Sequence, residues 1–229
     1  EIGSGLVGSE MCIRDSDMRF DSFDPEHYRD YAKLNRYLIS ALAVTYNVQN
    51  CYDSRNLFSQ KQLSVAIKNK RFECENYDKE AESGGRDPAY ARLELRSKCL
   101  TSNDIEKQFH GWYIRLDKAL KNLDKVHQRY NDELEKIYKE EKDAFPVKFR
   151  SLTDFLIQYQ NCIFCKAQMI DLLSRFDEVK NPETRAKNHK KRYGIEYFSK
   201  MDVEYAVAEI KRAAEKFFKG TEMNLFEKS

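Results

Sequence analysis

The chain has 229 residues, a length typical of one ordinary domain or of a small domain with a helical extension. Charged residues make up 34% of it, and there are only 8 glycines and 4 prolines. This composition favours a helix-rich globular protein and excludes collagen-like, mucin-like and Gly/Ser-linker chains. With 41% hydrophobic residues the chain can form a packed core, and no apolar run approaches the roughly 18 residues of a membrane span.

The first 16 residues differ in kind from the rest. Residues 6–16, LVGSEMCIRDS, resemble the in-frame translation of a transposase adapter used in sequencing libraries. The resemblance implies that residues 1–16 are an artefactual tail, dispensable for folding, and that the natural N-terminal part is missing. The alternative is an ordinary disordered N-terminus. Because the tail carries one Arg, two Glu and one Asp, its removal raises the net charge from +2 to +4.

Five cysteines remain without the tail, an odd number that argues against a disulfide framework and favours a reducing, cytosolic setting. Cys162 and Cys165 form the one pair with motif spacing, but no second pair or neighbouring histidines complete a zinc site. The surrounding residues follow an apolar helical pattern, in which cysteine behaves as a small hydrophobe. We therefore expect buried core cysteines, with metal or redox roles as the alternative.

Residues 17–100 predict one helix and three strands. Apolar residues recur at steps of three and four from Tyr28 to Tyr46, as in a helix. Two alternating runs, residues 62–68 and 71–77, have a short connection and predict a hairpin, and residues 90–96 predict a third strand. One face of these strands is charged and the other apolar. We expect the helix to cover part of the apolar face of a truncated antiparallel sheet.

Residues 101–229 predict a helical region. Apolar residues recur at steps of three and four from Ile105 to Ile137, which predicts one long helix. A second helix is predicted from Ser151 to Phe176, antiparallel to the first because their connection is short, and a third begins at Ser199. The expected fold class is α+β: an antiparallel sheet remnant with a covering helix, followed by a long helical C-terminal region.

The charged strand face is the first candidate site. Alternation places Glu73, Glu75 and Tyr77 on one side of the second strand, with Glu94 on the third. Metal-assisted phosphoryl transfer uses a phenol beside carboxylates, because the carboxylates hold a divalent cation and the tyrosine oxygen attacks the phosphate. A solvated sheet face with cross-strand ion pairs is the alternative.

The segment 72–100 contains two short elements separated by a turn. The first is Tyr77, Asp78, Lys79 and Glu82, of the form YDK-x-x-E, and the second is Arg92, Leu93, Glu94 and Arg96, of the form R-L-E-x-R. Together they resemble the end of one strand and the following strand in the rolling-circle replication initiators of plasmids and phages. The resemblance implies a DNA-binding protein that nicks one strand with a tyrosine, becomes joined to its 5′ end, and primes replication from the 3′ end.

The resemblance also implies roles for the matched residues. Tyr77 is the expected nucleophile with Lys79 beside it, and Tyr90 is a weaker alternative nucleophile. Glu73 and Glu94 are the expected ligands of a Mg²⁺ or Mn²⁺ ion, and the expected DNA contacts of the strands are Arg92 and Arg96. Many rolling-circle nickases carry two closely spaced histidines, whereas the four histidines of this sequence are scattered. The chain is therefore expected to be the C-terminal part of an initiator, without a complete active site.

A basic run is the second candidate site. It consists of Lys187, Lys190, Lys191 and Arg192, with Tyr193 and Tyr197 nearby. Basic residues interleaved with aromatic ones suit phosphate contacts and base stacking, so we expect binding of single-stranded or origin duplex DNA here. A lysine-rich solvated helix end is the alternative.

Two other functions fit the sequence: a helical interaction or coiled-coil protein, and a structural protein of a phage or mobile element. Both predict that Glu73, Tyr77 and Glu94 splay into solvent, whereas an initiator predicts that they converge. No membrane partner is expected, and a homodimer is compatible with the pattern.

Overall fold

The structure is a computed structural model that describes residues 17–22, 28–46, 64–68, 72–78, 83–86, 91–97, 102–142, 144, 148–195 and 197–226. It confirms the α+β class, with the strands first and a helical C-terminal region after them. The N-terminal elements are β1 (Asp17–Ser22), α1 (Tyr28–Thr45), β2 (Val65–Lys68), β3 (Phe72–Asp78) and β4 (Ala91–Ser97).

The strands form an antiparallel sheet in the order β1-β4-β3-β2. The predicted hairpin is confirmed, since β2 and β3 pair antiparallel, and β3 then pairs with β4. Strand β1 was not predicted from the sequence. It lies at the edge, paired with β4 from Asp17 opposite Arg96 to Ser22 opposite Ala91. Its DMRFDS sequence alternates polar and apolar residues, but it holds only two apolar side chains, Met18 and Phe20, and is too short a run to stand out as a strand by itself.

The apolar face of the sheet packs against α1. Three side chains of this face, those of Cys74, Leu93 and Leu95, are buried. Asn76 lies on the same face, and its side-chain amide donates to the backbone carbonyl of Ala32 in α1 at 2.9 Å. The carboxylates of β3 therefore lie on the opposite face, as the alternating sequence predicts.

The predicted long helix is in fact two helices, α2 (Ser102–Leu120) and α3 (Leu123–Lys142). At the break, the backbone N–H of Asn122 donates to Ala119 at 3.0 Å, and its side-chain amide donates to the carbonyl of Lys118 at 3.1 Å. Asn122 thus satisfies carbonyls that the end of α2 leaves without helical partners. The apolar spacing continues through Leu120 and Leu123, which is why the sequence pattern does not show the break.

The predicted second helix is also interrupted. It consists of α4 (Leu152–Gln158), a 3₁₀ helix at Gln160–Cys162, an extended segment, and α5 (Lys166–Ser174). Gln168 stabilises the interruption, because its side chain accepts from the N–H of Phe164 at 2.8 Å and donates to the carbonyl of Cys162 at 2.9 Å. These two bonds replace the helical hydrogen bonds that are missing there.

The interruption reverses the chain, so the predicted antiparallel pairing is only half right. Tyr138 near the end of α3 contacts Phe155 in α4, and Tyr130 two turns earlier contacts Phe164, which makes α3 and α4 antiparallel. Along α5 the order is the opposite. Asn131 donates to the carbonyl of Gln168 at 3.0 Å, and Tyr138 donates to Glu178 just beyond α5 at 2.8 Å. Helices α3 and α5 are therefore parallel.

The last two helices are α6 (Pro182–Tyr193), which was not predicted as a separate helix, and α7 (Lys200–Phe226). Helix α7 begins at the predicted cap, where Ser199 Oγ accepts from the N–H of Asp202 at 3.2 Å and Asp202 accepts from the N–H of Ser199 at 2.6 Å. Buried side chains of the sheet and of the helices form one continuous core. Among the helices of the described residues, none combines the length and apolar character that crossing a membrane requires.

The buried histidines predict a loss of stability in mild acid. Burial lowers the pKa of both His127 and His189. Below about pH 6.5 the unfolded chain binds protons at these two histidines, whereas the folded chain binds them only at lower pH. The two histidines therefore cost no stability above about pH 6.5, and they reduce the free energy of unfolding as pH falls from there through the lowered folded pKa values. We expect the urea midpoint to fall from about pH 7 to about pH 5, and the double variant His127→Gln/His189→Gln to show a shallower slope.

Candidate functional site

The polar face of the sheet brings the predicted strand residues together. The register sets Glu73 opposite Arg96, Glu75 opposite Glu94, and Tyr77 opposite Arg92. Alternation turns all of these side chains to the face that α1 does not cover. We call Glu73, Glu75, Tyr77, Glu94 and Arg96 the strand cluster, because contacts with Arg96 connect them.

The guanidinium of Arg96 is the hub of the strand cluster. Its Nη2 donates to the hydroxyl of Tyr77 at 2.6 Å and to Oε2 of Glu94 at 3.1 Å. Its Nη1 lies 3.5 Å from Oε2 of Glu75 and 3.9 Å from Oε1 of Glu73. One cation therefore neutralises part of the charge of three carboxylates that neighbouring strands place side by side.

Tyr77 lies between an acceptor and a donor. Its hydroxyl donates to Oε2 of Glu75 and accepts from Arg96. Burial, followed by the hydrogen bond to Glu75, raises the pKa of Tyr77, so the phenol is protonated at neutral pH. Any attack by its oxygen therefore requires that the proton leave at the same time, and Glu75 is already in position to take it.

Much of the strand cluster is enclosed. Tyr77 is 7% exposed and Glu94 is 3% exposed, whereas Arg96 exposes 38% of its side chain. Burial by itself lowers the pKa of Arg96, but the hydrogen bond and the charge of Glu94 outweigh it and raise that pKa. Arg96 is thus a permanent cation, and its side chain is more exposed than those of Glu73, Glu75 and Glu94.

The strand cluster does not fit a metal ion as it is arranged. Glu73 and Glu94 were the expected ligands, but Glu94 is held by Arg96 at 3.1 Å. Within the part of the chain that the structure describes, no group of three His, Cys, Asp or Glu side chains is placed to hold a metal. Oε1 of Glu73 is buried and accepts no hydrogen bond from the described residues, but it lies 3.9 Å from Nη1 of Arg96, which already supplies a positive charge there.

Other residues implied by the resemblance have different outcomes. Arg92 lies in β4 opposite Tyr77 and is half-buried. Lys79 lies outside the described residues, as do Glu82 and Tyr90. The structure therefore places the predicted nucleophile and both predicted carboxylates, and it does not describe the predicted catalytic lysine.

The basic run lies on α6, apart from the strand cluster. Lys187, Lys190 and Lys191 are exposed, whereas Ala186 and His189 are buried on the other side of the helix. Of Arg192 only the backbone is described, as part of α6. Helix α6 packs against α5 and α5 against α3, whereas the sheet packs against α1 and α2. The two predicted halves of a DNA site are thus separated by a layer of helices.

Sequence reasoning missed a second group of reactive side chains. Cys162 is fully buried as predicted, but Cys165 is only half-buried and forms the N-cap of α5. Its Sγ lies 3.6 Å from Nε2 of His127 in α3, and that nitrogen also hydrogen-bonds the hydroxyl of Tyr37 in α1. All three line a pocket of 840 Å³. The CxxC spacing marked the cysteine, but only the fold brings a histidine from 38 residues earlier to it.

Comparison of the chain with known proteins gave no match among protein-family models, among curated proteins or among solved structures.

Proposed function

We propose that this chain is part of a DNA replication initiator of the rolling-circle type, which binds DNA, nicks one strand and joins its 5′ end to Tyr77. The observation that carries the proposal is the position of the Tyr77 hydroxyl, hydrogen-bonded to Glu75 on one side and to Arg96 on the other. A nucleophile, a proton acceptor and a fixed cation are the groups that transfer of a phosphoryl group to tyrosine requires.

In the proposed reaction a DNA phosphate first replaces the Tyr77 hydroxyl as a hydrogen-bond acceptor of Arg96. The guanidinium of Arg96 is the most exposed of the groups concerned. The tyrosine oxygen then attacks phosphorus while its proton passes to Glu75. The bond from phosphorus to the 3′ oxygen breaks, and a proton from water completes the 3′ hydroxyl. Arg96 stabilises the negative charge on the phosphate during this step. The proposed reaction uses no divalent cation. Adding Mg²⁺ or Mn²⁺ to the nicking assay tests whether the reaction requires one.

The convergence of the strand cluster supports this proposal over its rivals. A helical interaction protein or a structural protein predicts that Glu73, Tyr77 and Glu94 splay into solvent. Tyr77 and Glu94 are instead buried, and Arg96 contacts both of them as well as Glu73. Helices α2 and α3 also pack against α1 rather than projecting alone into solvent, as the coiled-coil alternative expects.

The proposal predicts phosphate-directed DNA binding by the basic run. Replacing Lys187, Lys190, Lys191 and Arg192 with alanine should weaken binding to single-stranded and duplex DNA alike, because phosphate contacts carry no sequence information. It should also reduce the salt dependence, by up to roughly 0.7–0.9 log units for each phosphate that the protein no longer neutralises. Fluorescence anisotropy across a salt series measures both effects. The control replaces four exposed basic residues of α2 and α3, which gives the same change in charge: Lys118, Lys125, Arg129 and Lys136.

Equal weakening by the two sets of substitutions would assign the effect to net charge and remove the basic run from the site.

The catalytic part of the proposal needs the full-length initiator that it implies. In that protein Tyr77→Phe should leave DNA binding intact and abolish both nicking and the covalent adduct, whereas Tyr205→Phe, at an exposed position of α7, should change neither. Unchanged nicking by Tyr77→Phe would eliminate Tyr77 as the nucleophile. Absence of DNA binding at low salt would overturn the proposed function.

A further inference from the structure

The pocket beside Cys165 lies where four helix ends meet. Leu120 and Leu123 come from the junction of α2 and α3, Cys165 from the start of α5, and Val203 from the first turn of α7. Its volume of 840 Å³ is within the range of about 300–1,000 Å³ that is typical of small-molecule sites. It is separate from the strand cluster, and nothing in the proposed function uses it.

Cys165 and His127 form a nucleophile–base pair in the wall of this pocket. The sulfur lies 3.6 Å from Nε2 of His127 and 3.9 Å from Nδ1. Because Nε2 hydrogen-bonds Tyr37, Nδ1 is the nitrogen that takes the proton of the thiol. Burial raises the pKa of Cys165 and outweighs the N–H of Gln168, which donates to the sulfur at 3.4 Å, so the thiol has to lose its proton to His127 as it attacks. Burial lowers the pKa of His127, which leaves the imidazole neutral and able to accept a proton at neutral pH.

The remaining lining indicates which ligand suits the pair. Leu120, Leu123, Val203 and Val207 provide an apolar wall, which suits a hydrocarbon chain. Lys121 and Lys200 also line the pocket, but each is within salt-bridge distance of an acidic neighbour, Asp117 at 2.8 Å and Glu204 at 3.5 Å. Lys166 and Asp124 also line the pocket and carry opposite charges, so the lining as a whole has no net charge that would select an ionic ligand. An apolar wall around a nucleophilic thiol suits a molecule with an acyl chain and an electrophilic carbonyl carbon.

We propose that the pocket binds a small activated acyl compound, an ester or thioester with a short hydrocarbon chain, and that Cys165 accepts the acyl group. The proton of Cys165 passes to His127 as Sγ attacks the carbonyl carbon. The carbon–sulfur bond forms, the bond from that carbon to the leaving oxygen or sulfur breaks, and the leaving group takes the proton from His127. The product is S-acylated Cys165 and a free alcohol or thiol, with no oxidant or reductant involved.

The experiment treats the purified chain with 4-nitrophenyl butanoate and follows 4-nitrophenolate. We expect a burst of one 4-nitrophenolate per chain, a rate that saturates with ester concentration, and one butanoyl group on the peptide that contains Cys165. Cys165→Ala should abolish the burst. His127→Gln should slow it by about 100-fold, the lower part of the range for a general base, whereas His110→Gln at a half-exposed position of α2 should not change it.

A further variant tests the pocket rather than the thiol. Ala208 is exposed but lines the pocket, so Ala208→Trp should fill space without disturbing the core. It should slow reaction with the butanoyl ester and leave reaction with 4-nitrophenyl acetate unchanged. The proposal is overturned if the rate rises linearly without saturation, if acyl groups spread over the six cysteines and the lysines, or if the two histidine variants react alike. The saturation measurement needs only the wild-type chain, so it decides the matter even if a variant fails to fold. DNA binding is a separate readout, and its loss or retention does not bear on this site.

Discussion

Arg96→Met is expected to destabilise the fold by about 2 kcal/mol at neutral pH, less than the roughly 3–5 kcal/mol typical of breaking a fully buried ion pair. The reduction reflects the 38% exposure of the Arg96 side chain, which lets water screen the charges. The variant leaves Glu73, Glu75 and Glu94 close together without their shared cation. Urea unfolding followed by circular dichroism measures the difference.

The dependence on pH distinguishes an effect of charge from an effect of packing in this variant. As pH falls to about 4, protonation of the crowded carboxylates removes their repulsion, so the gap between wild type and Arg96→Met should narrow. Arg96→Lys is the matched control, because it keeps the cation but not the forked geometry. We expect it to have an intermediate stability at neutral pH. A gap for Arg96→Met that is the same at both pH values would show that the aliphatic part of Arg96, rather than its charge, stabilises the sheet.

Leu134→Ala is expected to cost about 2–5 kcal/mol, because Leu134 is completely buried in α3 and its truncation leaves a cavity in the continuous core. Ile114→Ala is the control. Ile114 is 66% exposed on α2, and its truncation should change stability by less than about 0.5 kcal/mol. Similar small effects at both positions would contradict the packing of α3 against α1 and α5, and would favour the coiled-coil alternative.

Local patterns predicted those parts of the fold that local forces determine. Alternation identified the β2–β3 hairpin, and the Ser199–Asp202 capping pattern identified the start of α7. Strand β1 was not predicted although its sequence alternates, because the run is short, with Met18 and Phe20 as its two apolar residues, and its pairing partner, β4, is about seventy residues away. The breaks at Asn122 and Gln168 escaped because side-chain amides replace the missing helical hydrogen bonds without interrupting the apolar spacing.

The candidate site shows the same division. The sequence placed Glu73, Glu75 and Tyr77 on one face, since that requires only the alternation of one strand. It could not show that Arg96 connects the carboxylates, which depends on the register between β3 and β4. The pocket beside Cys165 is harder still to predict. It exists only because α5 returns parallel to α3, and that direction follows from the interruption between α4 and α5.

Helix α1 is buried over almost its whole circumference, with the sheet on one side and α3 on another. It therefore cannot separate from either neighbour without exposing apolar surface to the solvent. Opening of the sheet and opening of the helical region are coupled through it, so both belong to a single cooperative unit. The amide protons of α1 should accordingly be the slowest in the protein to exchange with deuterium, at a rate set by complete unfolding of the chain rather than by local fraying.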